Sequence, residues 1–164
     1  MTDDDAAREP VAILLVEDEP ADAELCLRSL GRQGLTSGIA WVKDGAEALE
    51  FLRAKGRYTG RRRDELPRVV FLDLKLPRID GFEVLQRIRA DEVLRTVPVV
   101  VLSSSAEERD VVECYRLGAN SFVTKPVDFA RFQQVIGELG SYWLLVNRQP
   151  AGLAVPGGKA AARA

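Results

Sequence analysis

Five short apolar runs punctuate the chain. Each is followed by a stretch whose apolar positions recur at three- and four-residue spacing. The runs predict strands over Val11–Val16, Ile39–Val42, Val69–Leu72, Val97–Leu102 and Ser121–Thr124. The first, third and fourth (AILLV, VVFL and VVVL) are continuously apolar, the pattern of central strands in a parallel sheet covered on both faces. The intervening periodicity predicts helices over about Ala21–Leu30, Ala46–Ala54, Phe82–Ala90 and Ala106–Leu117, with a last one from Asp128 to Val146. Asp44, Ser105 and Asp128 stand where they can cap the second, fourth and fifth helices, and Gly31, Gly56 and Gly118 stand just past helix ends. Strict alternation of strand and helix predicts a doubly wound α/β fold with right-handed crossovers and five parallel strands.

At the two ends the pattern lapses. Residues 1–9 are acidic and polar, and residues 148–164 are rich in Pro, Gly and Ala, so both are expected to be flexible around one domain spanning 10–147. The chain has 164 residues, of which 46% are hydrophobic and 29% charged, enough for one substantial core but not two. No apolar run approaches a bilayer's thickness and the N-terminus has no secretory character, so a cytoplasmic protein without membrane contact is expected. The net charge of −2 gives no reason to expect nucleic acid binding, and the Arg61-Arg62-Arg63 cluster reads as a solvated loop. Cys26 and Cys114 read as packed thiols. With no histidine in the chain, mechanisms needing a histidine base are excluded.

Ligands of open parallel sheets bind beyond the carboxyl ends of the strands. There the sequence puts Glu17-Asp18-Glu19 after strand one, Asp73 after strand three, Ser103-Ser104-Ser105 after strand four and Lys125-Pro126 after strand five. Each alone fits a turn residue, a cap or a solvated charge. Taken together they pose an electrostatic problem, because clustered carboxylates repel and need a counter-charge. A hard divalent cation with oxygen ligands meets that need, and Mg²⁺ is the usual cellular choice. Lys125 can neutralise an incoming phosphoryl group and the Ser103 hydroxyl can hydrogen-bond to it, which makes the set a phosphoryl-transfer site with a carboxylate nucleophile.

The segments LLVEDEP, FLDLKLPRIDGFEVL, VVVLSSSAEERD and GANSFVTKP resemble, in order, the receiver domains of bacterial two-component response regulators. The likeness spans roughly residues 10 to 146 and implies a flavodoxin-like sheet of order 2-1-3-4-5. It implies that Asp73 accepts the phosphoryl group, and that Asp18 and Asp73 ligate Mg²⁺ with the Lys75 backbone carbonyl while Glu17 acts through water. By the same likeness Ser103 senses the phosphoryl group, Lys125 pairs with it, and the Lys125–Pro126 bond is cis. Phe122 falls at the switch aromatic and Gly81 at the glycine ending the loop after strand three. Many relatives carry tyrosine where Phe122 stands, and Lys75 and Ser105 occupy positions that influence dephosphorylation.

Little chain follows the fifth helix, so signalling by contact is expected rather than through an output domain. The EDEPADAEL opening, the long loop before strand three, and ANSFVTKP followed by YWLLV are similar to receivers that pair with bacteriophytochrome histidine kinases. That similarity implies a homodimer through the fourth helix, fifth strand and fifth helix, including Val111, Tyr115, Phe122, Tyr142, Trp143 and Leu145, and a kinase docking at Ala21, Leu25 and Cys26. The last helix is expected to carry a core-facing stripe of Phe129, Phe132, Val135, Ile136, Leu139, Tyr142, Trp143 and Val146. A haloacid dehalogenase-type phosphatase would need a second aspartate where Lys75 stands, and EDEP would repel the phosphate of a flavin. A receiver fold acting as an unphosphorylated scaffold is the remaining alternative.

Overall fold

The computed structural model describes residues 10–35 and 38–150. The expected extensions, 1–9 and 148–164, lie outside the described residues apart from 148–150. Five parallel strands, β1 (Ile13–Val16), β2 (Ile39–Val42), β3 (Val69–Leu72), β4 (Val99–Ser103) and β5 (Ser121–Thr124), form one sheet in the order β2-β1-β3-β4-β5. Five helices cross between and after them: α1 (Pro20–Arg32), α2 (Gly45–Arg53), α3 (Gly81–Ala90), α4 (Glu108–Arg116) and α5 (Phe129–Ser141). This is the flavodoxin-like, doubly wound arrangement that the alternation and the family resemblance together imply.

Because successive side chains of a strand point to opposite faces, the three apolar central strands feed two cores at once. Leu14, Val16, Val70, Leu72, Val99 and Val101 face α2, α3 and α4 with Leu49, Leu52, Val84, Leu85, Ile88 and Cys114. Ile13, Leu15, Val69, Phe71, Val100 and Leu102 face α1 and α5 with Cys26, Leu30, Phe132 and Ile136. Paired registers such as Val16 with Leu72 and Leu72 with Val101 bring the ends of β1, β3 and β4 level with one another. Residues 17, 73 and 103 therefore emerge at one rim.

Several boundaries differ from expectation for identifiable reasons. β4 begins at Val99 because Pro98 has no N–H to pair, and it runs one residue further, so Ser103 ends the strand instead of following it. Helix α1 passes through Gly31; the stop comes at Gly34, with φ +75, where Leu35 N–H donates back to the Leu30 carbonyl at 3.0 Å. Asp44 and Asp128 cap α2 and α5 as expected. Ser105 does not cap α4: its hydroxyl is held 2.6 Å from Asp110 Oδ2, and the helix starts at Glu108. The final helix changes to a π-helical turn over Tyr142–Val146, closed by Asn147 N–H on the Tyr142 carbonyl at 2.6 Å. The expected stripe is broken at both ends, by this turn at the C-terminal end and at the first residue of α5 at the other. Phe132, Ile136, Leu139 and Trp143 pack inward, whereas Phe129, Tyr142 and Val146 are exposed.

The arginine cluster is only partly a solvated loop. Arg62 pairs with Asp64 at the surface, but the Arg61 guanidinium lies 3.5 Å from the centroid of the Phe51 ring and donates to the Phe51 and Glu65 carbonyls. It fastens the long segment between α2 and β3 onto the core. Arg61→Ala is expected to lower unfolding stability by about 1–2 kcal/mol in a denaturant titration, from the lost cation–π contact and hydrogen bonds. Arg62→Ala, which removes an exposed pair, is expected to cost under about 1 kcal/mol.

Candidate functional site at the carboxyl ends of the strands

Glu17 follows β1, Asp73 follows β3 and Ser103 ends β4, and all three side chains are buried. Asp18 is exposed beside them. One oxygen from each of Glu17, Asp18 and Asp73 lies within 4.8 Å of the others, the one such carboxylate group among the described residues. From the far side Lys125, just past β5, reaches in. Its Nζ lies 2.6 Å from Glu17 Oε2, 3.1 Å from Asp73 Oδ2 and 3.1 Å from Asp22 Oδ2. The Lys125 N–H is anchored on the Ser103 carbonyl at 2.7 Å. The Lys125–Pro126 bond is trans, since no cis peptide occurs among the described residues, which corrects the expectation of a cis bond. The trans form is the intrinsically favoured isomer, and the lysine reaches all three carboxylates from it.

The electrostatics follow from burial. Burial pushes the Glu17 carboxyl up to about 7, against the hydrogen bond and positive charge of Lys125, and the nearby Asp73 charge pushes in the same direction as burial. Burial works against the charge on Lys125 too, but the hydrogen bond and attraction of Glu17, with those of the other carboxylates, outweigh it and raise the ammonium above its ordinary value. The pairing thus favours the charged ammonium, while burial holds the Glu17 carboxyl well above the usual carboxylate range. The same burial raises the Cys26 and Cys114 thiols to about 12 and 11, leaving both inert.

Backbone donors set the orientation. Asp73 Oδ1 accepts from Lys75 N–H at 3.2 Å, Glu17 Oε1 from Glu19 N–H at 3.1 Å, and Ser103 Oγ from Ser105 N–H at 3.1 Å. Gly81 is needed where α3 starts, because a Cβ there would strike the Asp73 carbonyl and come within 2.6 Å of Leu74 Cα. Phe122 on β5 is half-buried against the α2–α3–α4 core. Of the residues expected to meet a kinase, Ala21 is exposed and Leu25 half-buried, while Cys26 is wholly within the core and offers no outward contact.

The donor set fits a hard cation: all oxygen, with three carboxylates. Octahedral Mg²⁺ at 2.0–2.1 Å from its ligands spaces opposite oxygens by about 4.2 Å, a separation compatible with oxygens that all lie within 4.8 Å of one another. Both oxygens of Glu17 and both of Asp73 already accept hydrogen bonds. Asp22 is the participant that the sequence reading missed. It lies in the first turn of α1, where an acidic residue reads as a response to the helix dipole, and only the fold brings Lys125 to it.

The response regulator receiver domain model matches residues 13–137, and the chain belongs to that family. It is a phosphoacceptor signalling domain, of the kind that partners with histidine kinases, with an acidic Glu17/Asp18/Asp73 site. The probable methanogenesis regulatory protein FilR2 of Methanothrix harundinacea is 44% identical over 144 residues, covering 88% of this chain and 90% of that one. The Mn(2+)-bound form of response regulator Rcp1, a Synechocystis protein, superposes with a TM-score of 0.77 at 36% identity, covering 87% of this chain and 100% of that one. The bacteriophytochrome response regulator AtBRR is 48% identical with a TM-score of 0.67, covering 85% and 99%. No described helix is long and apolar enough to cross a membrane.

Trp41 provides a reporter of this pocket, because its indole N–H donates to the Glu17 carbonyl at 2.8 Å. Titration with Mg²⁺ is expected to change tryptophan fluorescence in the wild type and in Trp143→Phe but not in Trp41→Phe. A signal that follows Trp143 instead would place the cation elsewhere.

Proposed function

We propose that the protein is a response regulator that accepts a phosphoryl group on Asp73 from a phosphohistidine of a sensor kinase, in a reaction dependent on Mg²⁺, and signals through protein contacts. The observation that carries this reading is the buried Asp73 carboxylate, 3.1 Å from the Lys125 ammonium and within 4.8 Å of two further acids. An Asp73 oxygen attacks phosphorus, the P–N bond breaks as the P–O bond forms, and the donor imidazole leaves with the electron pair. Lys125 then pairs with the transferred phosphoryl group, and the Ser103 hydroxyl donates to it. Asp18, Asp73 and the Lys75 backbone carbonyl would hold the cation directly and Glu17 through water. Bound there, Mg²⁺ supplies charge neutralisation for the phosphoryl oxygens. Phe122 and Ser103 are the switch residues of this reading, and the functional unit is 10–147, acting in the cytoplasm.

The kinase is proposed to be a bacteriophytochrome, on the likeness to AtBRR. Incubation with Mg²⁺ and a small phosphodonor is expected to add a labile mass of about 80 Da to the wild type and none to Asp73→Asn. Labelling of a folded Asp73→Asn protein rules out the acceptor assignment. Absence of label on wild type from both a small donor and a phosphorylated bacteriophytochrome kinase favours the scaffold.

Output is proposed through a homodimer built on α4, β5 and α5, using Val111, Tyr115, Phe122, Tyr142, Trp143 and Leu145. Support comes from apolar side chains left in solvent, namely Val112, Tyr115, Tyr142, Leu145 and Val146. Trp143 also packs inward against the α1–α5 core, so the test belongs on exposed positions. Tyr115→Glu with Leu145→Glu is expected to reduce the mass seen by light scattering to that of one chain. An unchanged dimer would exclude this face.

A further inference from the structure

Lys125 has three ammonium protons, and three carboxylates receive them: Glu17 at 2.6 Å, Asp73 at 3.1 Å and Asp22 at 3.1 Å. Glu17 and Asp73 belong to the acidic site. Asp22 does not: its carboxylate is not in the group of oxygens that could share a cation. It is also the most solvated of the three, with its side chain 39% exposed against 2% and 9%. Nothing local requires it to turn toward Lys125, which lies 103 residues away in sequence. A helix-dipole acid would serve α1 equally well pointing into solvent.

The ammonium and an incoming divalent cation compete for the same carboxylates. The hold of Lys125 on Asp73 Oδ2 and Glu17 Oε2 already satisfies part of the negative charge that a second cation would draw on. A third anion on Nζ lowers the cost of that competition, because the ammonium keeps a partner while its hold on the other two carboxylates loosens. Asp22, 3.1 Å from Nζ and outside the group of oxygens that could share a cation, is that third anion.

Resting on the phosphoryl-acceptor reading above, we infer that Asp22 is a positioning residue: it draws the Lys125 ammonium away from Asp73 and so sets how readily the pocket takes its cation. The cation and phosphoryl group are held by other residues, and Asp22 acts through the lysine alone.

The experiment is a double-mutant cycle on the full chain, read in the resting protein by Mn²⁺ and Mg²⁺ titration of Trp41 fluorescence. Asp22→Asn is expected to weaken cation affinity by about three- to fivefold, the size of a half-exposed charge pair. On a Lys125→Met background the same substitution is expected to change affinity by less than about twofold, because the group it acts through is gone. Lys125→Gln replaces Lys125→Met if the latter does not fold. The Mg²⁺ concentration giving half-maximal phosphorylation is expected to shift by the same factor as the binding constant. Equal cation affinity in wild type and Asp22→Asn overturns the inference. So does a loss that persists undiminished without Lys125, which would make Asp22 a direct attractor of the cation. A wild type that binds the cation and is phosphorylated while Asp22→Asn matches it sinks this inference alone. A wild type that does neither sinks the acceptor reading and this inference with it.

Discussion

Mutual repulsion among carboxylates, held in check by one ammonium, is the constraint around which this molecule is arranged. Glu17 and Asp73 are withdrawn from water, and charges so placed persist only when paired and hydrogen-bonded. Lys125 supplies the pairing and the backbone N–H groups of Glu19 and Lys75 supply the remaining bonds. The result is a pocket still negative overall after its lysine is counted. A residual negative charge fixed in a low-dielectric concavity attracts cations, and a cation in turn makes the carboxylate tolerable to an anionic phosphoryl group.

The sheet makes such a concentration of charge possible. Parallel strands in register end together, so residues distant in sequence converge without any one loop having to fold tightly around them. The two apolar layers then fix the strands from both sides, and the side chains at their ends inherit that rigidity. Gly81 shows how little slack remains, since even a methyl group there would collide with the backbone that carries Asp73. A half-buried arginine does similar work farther away. Arg89 donates to the carbonyls of Gly118, Arg95 and Val97 and to the Asn120 side chain, binding α3 to the segments that lead into β4 and β5.

Hydrogen bonds also link the pocket to the helix beside it. Ser103 Oγ accepts from the Ser105 backbone, and the Ser105 hydroxyl donates to Asp110 in the first turn of α4. That helix exposes Val112 and Tyr115 on its outer side. The Ser103 hydroxyl, at the end of β4, is therefore two hydrogen bonds from the helix proposed to carry part of the output surface.

The sequence by itself determined the layered fold and most of the pocket. Apolar runs of strand length leave few alternatives to a doubly covered parallel sheet, and the residue after each run then has to lie on the ligand-binding rim. Glu17, Asp73 and Lys125 were legible for that reason, as were the caps Asp44 and Asp128, whose bonds span three residues. What only the tertiary structure decided depends on contacts between segments far apart in the chain. Asp22 reads as a helix-start acid until β5 brings Lys125 beside it, and Arg61 reads as a loop charge until it lies over Phe51. The inward and outward faces after Ser141 were likewise set by the change to a wider helical turn, which shifts the angular position of every later side chain. Periodicity fixes where elements run, but the partner of a long charged side chain is chosen by whatever the folded chain places within its reach.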